Sequence, residues 1–411
     1  MKGTEPRIRF KEFGGAWEAD KLSRHLSVSE ERNEDNRYGA ADVFSVSREH
    51  GVVNQIEFQG RSFAGASLLG YRVIHKGQVA YTKSPLKAAP YGIVKADKTK
   101  SGSVSALYGV YDAIADADFV QTFFENDDRL NAYLRPLVNK GAKNTLLVSD
   151  EDALSGEVRF PSLPEQRRIA ELFRNLDETI AATDARLEKL RQSKKSLLEK
   201  MFPRPGASVP EIRFKGFKGN WEPKRLSEMF QIRRGLTYSP SDVVEEGIRV
   251  LRSSNISTDL FVVSDDDVFV RSEAVTIPFA NNGDILVTAA NGSIGLVGKH
   301  AIISGIKEQT CVHGGFMLLA RTEEPEFVQA WLGAPWYRDF IRLYVGGGNG
   351  TIGNLNKTGF EEYTAFSPTT PLERKRIGAF FRDFDLLLEA TQKRAVKLRQ
   401  VKSALLEEMF V

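Results

Sequence analysis

The residues best suited to chemistry are few and scattered. Cys311 and His313 could both ligate a metal, but no further Cys/His cluster lies near them, so no zinc site is expected. His25, His50, His75 and His300 are isolated. Asp265, Asp266 and Asp267 are consecutive, and in a strand they would point to alternate faces; a solvated turn is expected rather than a metal site. The glycine run at 346–350 lacks the Gly-Lys-Ser/Thr of a phosphate loop and the strand–turn–helix setting of a dinucleotide fingerprint. There is no Gly-x-Ser-x-Gly elbow and no Asn-Pro-Pro-aromatic segment of the amino-methylating kind. No catalytic residue, no metal and no cofactor on this chain are therefore expected. What remains is a set of polar loops. Residues 77–84 (GQVAYTKS) and 283–293 (GDILVTAANGS) each read as a Gly-led strand delivering polar residues to a loop. Residues 141–144 (GAKN) and 346–351 (GGGNGT) are glycine-bearing loops before the last segment of each half. Such loops can approach a phosphate backbone or base edges closely, and ordinary turn chemistry explains any one of them as well.

The elements that must position these loops are visible in a repeat. Residues 8–23 (IRFKEFGGAWEADKLS) match 212–227 (IRFKGFKGNWEPKRLS). At nearly the same offset, 165–202 matches 373–410, with EQRRIAELFRNLD against ERKRIGAFFRDFD and KLRQSKKSLLEKMF against KLRQVKSALLEEMF. The chain is two copies of one unit. The matching parts are the ends of each unit, whereas the middles, about 24–160 and 228–365, share little. Common ends imply a common frame or partner, and unlike middles imply two versions of one job.

The second matching stretch predicts a long helix in each unit. Ile169, Phe173, Leu176, Ile180, Thr183, Leu187, Leu190, Lys194, Leu197 and Met201 alternate spacings of four and three, and so do Ile377, Phe381, Phe384, Leu388, Thr391, Ala395, Leu398, Lys402, Leu405 and Met409. Pro164 and Pro371 stand near the starts, where proline is tolerated, and Pro203 stops the first helix. A parallel pair would stack Lys194 on Lys402. An antiparallel pair would set Lys194 near Phe384 and Lys402 near Leu176, each stem on apolar surface and each ammonium in water, and is expected for that reason. Such a pair implies a pseudo-twofold axis. From Ile169 to Met201 the rod would run about 48 Å at ~1.5 Å per residue, or roughly 14 base pairs of duplex at ~3.4 Å each.

Each middle reads as mixed strands and helix. In the first, strands are predicted at 42–46, 51–58, 71–75, 78–81 and 108–111, with a helix over 116–138. In the second, strands are predicted at 249–251, 261–263, 284–288, 296–298 and 316–320, with a helix near 325–344. Residues 203–210 (PRPGASVP) form a linker. The fold class is α+β, with boundaries at 1–160, 161–202, 203–365 and 366–411. Of 411 residues, 57 are basic and 54 acidic, so bulk charge makes no case for nucleic acid. The two long helices are net positive and the remainder slightly negative. The single cysteine allows no disulfide within the chain, and no apolar leader or membrane-spanning stretch appears; a cytoplasmic protein is expected.

Taken together, the residues carry a family resemblance. The Ile-Arg-Phe…Trp-Glu…Leu segment precedes each variable domain. The Pro-x-x-Glu-Gln/Arg-x-x-Ile helix follows and ends in Leu-Leu-x-x-Met-Phe. In this sequence the motifs stand as residues 161–169 (PSLPEQRRI), 195–202 (KSLLEKMF) and 252–256 (RSSNI). The chain resembles the specificity subunit of prokaryotic Type I restriction-modification enzymes over essentially its full length. One departure is Leu372-Glu373-Arg374 where the first helix has Pro164-Glu165-Gln166. The resemblance implies two target recognition domains, each reading one half of a split double-stranded DNA sequence, and an antiparallel coiled coil that sets the gap. It implies docking of two adenine methyltransferase subunits, which use S-adenosylmethionine, and two translocase/nuclease subunits, which use ATP and Mg. Loop chemistry nominates Tyr81, Lys83, Ser84, Lys143 and Asn144 as DNA-binding residues of the first domain. It nominates Arg252, Ser253, Asn255, Asn291, Asn349, Asn354 and Lys357 in the second. A coiled-coil assembly protein without nucleic acid, and an enzyme with an unrecognised site in one middle, are the competing readings.

Overall fold

The structure, a computed structural model, describes residues 4–65, 67–83, 89–140, 146–264, 266–345 and 353–411. By its contacts the chain divides into two compact units, residues 1–182 with 395–411 and residues 183–394. The two long helices, Leu163–Met201 and Pro371–Glu408, are the longest elements, and each contributes one stretch to either unit.

Unit 1 contains a four-stranded antiparallel sheet in the order Leu26–Val28, Tyr108–Ala113, Val79–Thr82, Val94–Ala96. A second sheet has the order Gly51–Asn54, Val43–Ser47, Gly102–Val104, Arg72–Ile74, with Val43–Ser47 parallel to Gly102–Val104. Strand Glu18–Lys21 pairs with Glu157–Phe160, the strand that leads into the first long helix. In the unit's core, Trp17, Phe119 and Phe160 are packed with Ile169 and Phe173 from the start of that helix and with Met409 and Phe410 from the chain's last residues. Burying each such side chain contributes about 1.5–3 kcal/mol.

Unit 2 repeats the plan with other residues. Its antiparallel sheet runs Gln231–Arg234, Met317–Arg321, Ile285–Thr288, His300–Ile302. Its second sheet runs Val243–Val244, Val268–Val270, Ile248–Leu251, Cys311–His313; it again has one parallel pair, here at the sheet edge and not in its middle. Strand Glu222–Arg225 pairs with Thr364–Ser367. Here Leu198, Met201 and Phe202 from the end of the first long helix share a core with Trp221, Phe327, Ile377 and Phe381. The edge-to-face contact of Trp17 on Phe410, at 6.2 Å, has its counterpart in Trp221 on Phe202, at 5.8 Å. Gly378 occupies the place of Ala170, and a Cβ there would lie 2.6 Å from the Phe327 backbone nitrogen, so the bare glycine lets the short helix Pro325–Leu332 pack closely on the long one.

The matched motifs now have a physical reason. Arg9 makes a two-pronged ion pair with Glu165 (2.7 and 2.8 Å) and also donates to the Gly15 carbonyl. Arg213 does the same with Glu373 (2.6 and 2.8 Å) and Gly219. The departure at the next residue is a change of partner at one joint. Gln166 donates to the Pro161 carbonyl and accepts from the Asp116 amide. Arg374 donates to the Pro368 carbonyl and pairs with Glu324 at 2.7 Å. Both joints lead into the short helix packed beside the long one, Ala117–Phe123 or Pro325–Leu332.

Every position of the four-three pattern on both helices is buried or half-buried. The two lysines differ from expectation. Lys194 is 8% exposed, with its ammonium 2.6 Å from Asp385 and 3.8 Å from Asp259. Lys402 lies 2.6 Å from Asp177 and 2.7 Å from Glu125. The acids directly follow the apolar neighbours predicted for each lysine, Phe384 and Leu176, and a second acid arrives from the globular part. Ion pairing replaces the solvent-facing ammonium.

Other elements depart from the sequence reading. The 116–138 segment is two helices, Ala117–Phe123 and Asp127–Leu134, because Asn126 caps a new start by accepting from the Arg129 amide. The 325–344 segment breaks into Pro325–Leu332 and Pro335–Tyr344, since Pro335 disfavours helix at Ala334. The 51–58 strand ends at Asn54, whose side chain caps a short helix. Residues 296–298 are not a strand; a 3-10 turn, Ile294–Leu296, ends there. Asp267 is not in a solvated turn. It is buried, 3.3 Å from Arg249, and accepts from the Asn255 amide and the Ser264 backbone.

Candidate nucleic-acid interface

In unit 2, four strand ends converge on one cleft of about 910 Å³. The loop after Ile248–Leu251 brings Arg252, Ser253 and Ser254; the stretch after Ile285–Thr288 brings the short strand Ala290–Asn291 and Gly292. The turn after Cys311–His313 brings Gly314, Gly315 and Phe316, and the stretch after Gln231–Arg234 brings Thr237 and Tyr238. Its floor is tight. Leu236 donates to the His313 carbonyl at 2.7 Å, and a Cβ on Gly235 would meet the Gly314 oxygen at 1.9 Å. Among the described residues lining it, Arg252 is the charged side chain, and it is exposed. A guanidinium, hydroxyls, an amide and two aromatic rings on a concave surface can donate to and stack on a nucleic acid.

The structure brings together Arg252, Ser253 and Asn291 on this cleft. Asn354 is exposed on the strand pair that continues it, opposite Ala290. Lys357 does not line the cleft; it starts a helix and lies 3.5 Å from Glu361. Asn255 is a correction. It is fully buried, accepting from the Arg252 amide and donating to Val262 and Asp267, and so holds the loop rather than a ligand. In unit 1, Tyr81 is likewise corrected. It is 1% exposed in the core and donates to the Tyr91 carbonyl, because its strand, Val79–Thr82, is buried on both faces. Lys83 is tied to Asp150 at 2.9 Å, a carboxylate shared with buried Arg72. Ser84, Lys143, Asn144 and Asn349 lie outside the described residues.

Sequence reasoning missed exposed apolar side chains: Phe316, which shares the cleft with half-buried Tyr238 in unit 2, and Leu107 and Phe63 in unit 1. The Arg61 guanidinium lies over the Phe63 ring at 4.6 Å. The Gly-Gly-Phe order at 314–316, between two apolar runs, was the available signal. Cys311 and His313 are buried strand residues. Burial raises the thiol pKa and lowers that of the imidazole, which favours the uncharged form of both. No group of three His, Cys, Asp or Glu able to hold a metal occurs among the described residues. Nor is any helix among them long and apolar enough to cross a membrane.

Comparison with known proteins agrees with this architecture. The chain has the fold of an S subunit of Type I restriction-modification systems. The S subunit from M. genitalium superposes with a TM-score of 0.60 at 14% identity, covering 99% of both chains. A chain from a structure of type I R-M system assembly and conformational transition superposes at 0.52 and 16% identity, covering 96% of this chain and 97% of that one. In sequence, the chain is 21% identical over 199 residues to the Type I restriction enzyme MjaVIII specificity subunit of Methanocaldococcus jannaschii. It spans about half the length of that relative, 47%, using 46% of itself. No protein-family model matches.

Proposed function

We propose that this chain is the DNA-reading specificity subunit of a Type I restriction-modification complex. Each unit reads one half of a bipartite double-stranded target. The single observation that carries the reading is one strand plan, built twice on matching helices, bearing two unlike sets of loop residues. A common frame with different faces suits an asymmetric, interrupted sequence. The likeness to the M. jannaschii specificity subunit supports it.

On this reading the two long helices form an antiparallel coiled coil with a pseudo-twofold axis, and its length sets the gap between half-targets. The coil docks two adenine methyltransferase subunits, and two translocase/nuclease subunits join through that core. Exposed Leu386, Leu387, Val396 and Val401 on the second helix are apolar surface suited to such docking. The chain supplies recognition and no catalytic group; S-adenosylmethionine, ATP and Mg belong to the partners, and the complex works in the cytoplasm.

Co-expression with a cognate methyltransferase subunit tests the proposal. Adenine methylation at a split sequence, appearing only when both chains are present, is the expected result. Catalysis by the purified chain alone, or stable assembly that leaves DNA affinity unchanged, would overturn it.

A further inference from the structure

The two middles share little sequence, yet they place the same kind of side chain at one structural position. In each unit a turn links the strand that pairs in parallel in the second sheet to an inner strand of the antiparallel sheet. In unit 2 it joins Cys311–His313 to Met317–Arg321, and in unit 1 it joins Gly102–Val104 to Tyr108–Ala113. The same two backbone hydrogen bonds hold both turns. Met317 donates to Gly314 (2.8 Å) and Ala289 to Phe316 (2.9 Å); Tyr108 donates to Ser105 (3.0 Å) and Lys83 to Leu107 (3.3 Å).

The residue at each tip is apolar and open to water, Phe316 at 68% and Leu107 at 63% exposure. One exposed apolar side chain is ordinary on a protein surface. Two at the same held position are not explained by packing, since neither belongs to a core. Phe316 stands on the wall of the cleft that carries Arg252 and Asn291. An apolar tip beside a guanidinium and an amide matches a DNA base, which offers an apolar face or thymine methyl next to polar edges and phosphate. Phe and Leu are also among the side chains that wedge at base steps.

We propose that Phe316 and Leu107 are specificity-determining residues, each pressing its apolar side chain on a base of the half-target that its own unit reads. This rests on the recognition reading above. Phe316 and Leu107 thereby belong to different half-targets, and their effects separate.

The test uses the full chain assembled with its methyltransferase subunits on a library randomised across both half-targets. Phe316→Ala is expected to relax discrimination roughly 5- to 100-fold at one or two adjacent positions of one half-target. Leu107→Ala is expected to do so only in the other half. Phe316→Leu should retain most of the preference, which separates apolar contact from misfolding; thermal melts of each assembly check the latter. Base preferences of Phe316→Ala and Leu107→Ala that match those of the unaltered chain would overturn the proposal. So would an equal loss across both halves from either change. If the unaltered assembly shows no bipartite preference at all, the recognition reading itself fails, and the tip assignment falls with it.

Discussion

At the residue scale, the duplicated Arg–Glu pairs are the clearest case of a motif explained by its contacts. Glu373 is 1% exposed, and its two oxygens are held by Arg213. Arg213→Ala leaves that carboxylate buried without its partner, which costs about 3–5 kcal/mol. Arg382→Ala, at an exposed pair with Asp383, should cost under about 1 kcal/mol. Thermal melts of the two variants check the contrast, and equal shifts would contradict it. On the cleft, Arg252→Ala should weaken recognition of one half-target by about 5- to 150-fold, the value of one good base contact, while the other half is read as before. Library methylation by the assembled complex measures both halves at once.

At the element scale, the lysines within the helix pattern tie each long helix to its globular part. Lys402 meets Asp177 from the other long helix and Glu125 from the turn after the short helix Ala117–Phe123; in the other unit Lys194 meets Asp385 and Asp259. Burial works against the charge of Lys402, but Glu125 and Asp177 outweigh it and raise its pKa. A lysine pKa raised by folding contributes stability that is complete below the unfolded value, near ~10.4, and is lost as pH rises through the folded value. Lys402→Met should therefore destabilise the protein at neutral pH. It should also flatten the part of the stability loss that falls above about pH 10. Melting temperatures from pH 7 to 11 test this; an unchanged alkaline slope in the variant would reject the assignment.

At the scale of the whole molecule, the proposed coil acts as a spacer. Seven residues inserted in both long helices preserve the apolar pattern and add ~10.5 Å to each. The methylated sequence should then carry a gap wider by up to about three base pairs, with both half-sequences unchanged. Methylome sequencing of a folded, active variant with an unaltered gap would refute the spacer role. Outside the helices the chain is slightly acidic, so the isolated subunit should bind DNA weakly, and its affinity should fall further between 50 and 200 mM salt.

The residues by themselves determined the repeat, the two long helices and their ends, and the mixed character of the middles. These depend on local periodicity and on prolines and caps, which act over a few residues. They also marked Arg9, Trp17, Glu165 and their counterparts as matched, without saying why. Only tertiary structure paired Arg9 with Glu165 and Lys402 with Asp177, because those partners are distant in sequence and meet through packing. Tertiary structure also sorted the loop candidates. Asn255 and Tyr81 carry polar groups suited to a ligand but spend them on neighbouring backbone, while Phe316, which polarity alone would pass over, stands open at a strand end. Which polar group faces water and which is consumed inside follows from sheet order and turn position, and those are settled by long-range pairing rather than by residue type.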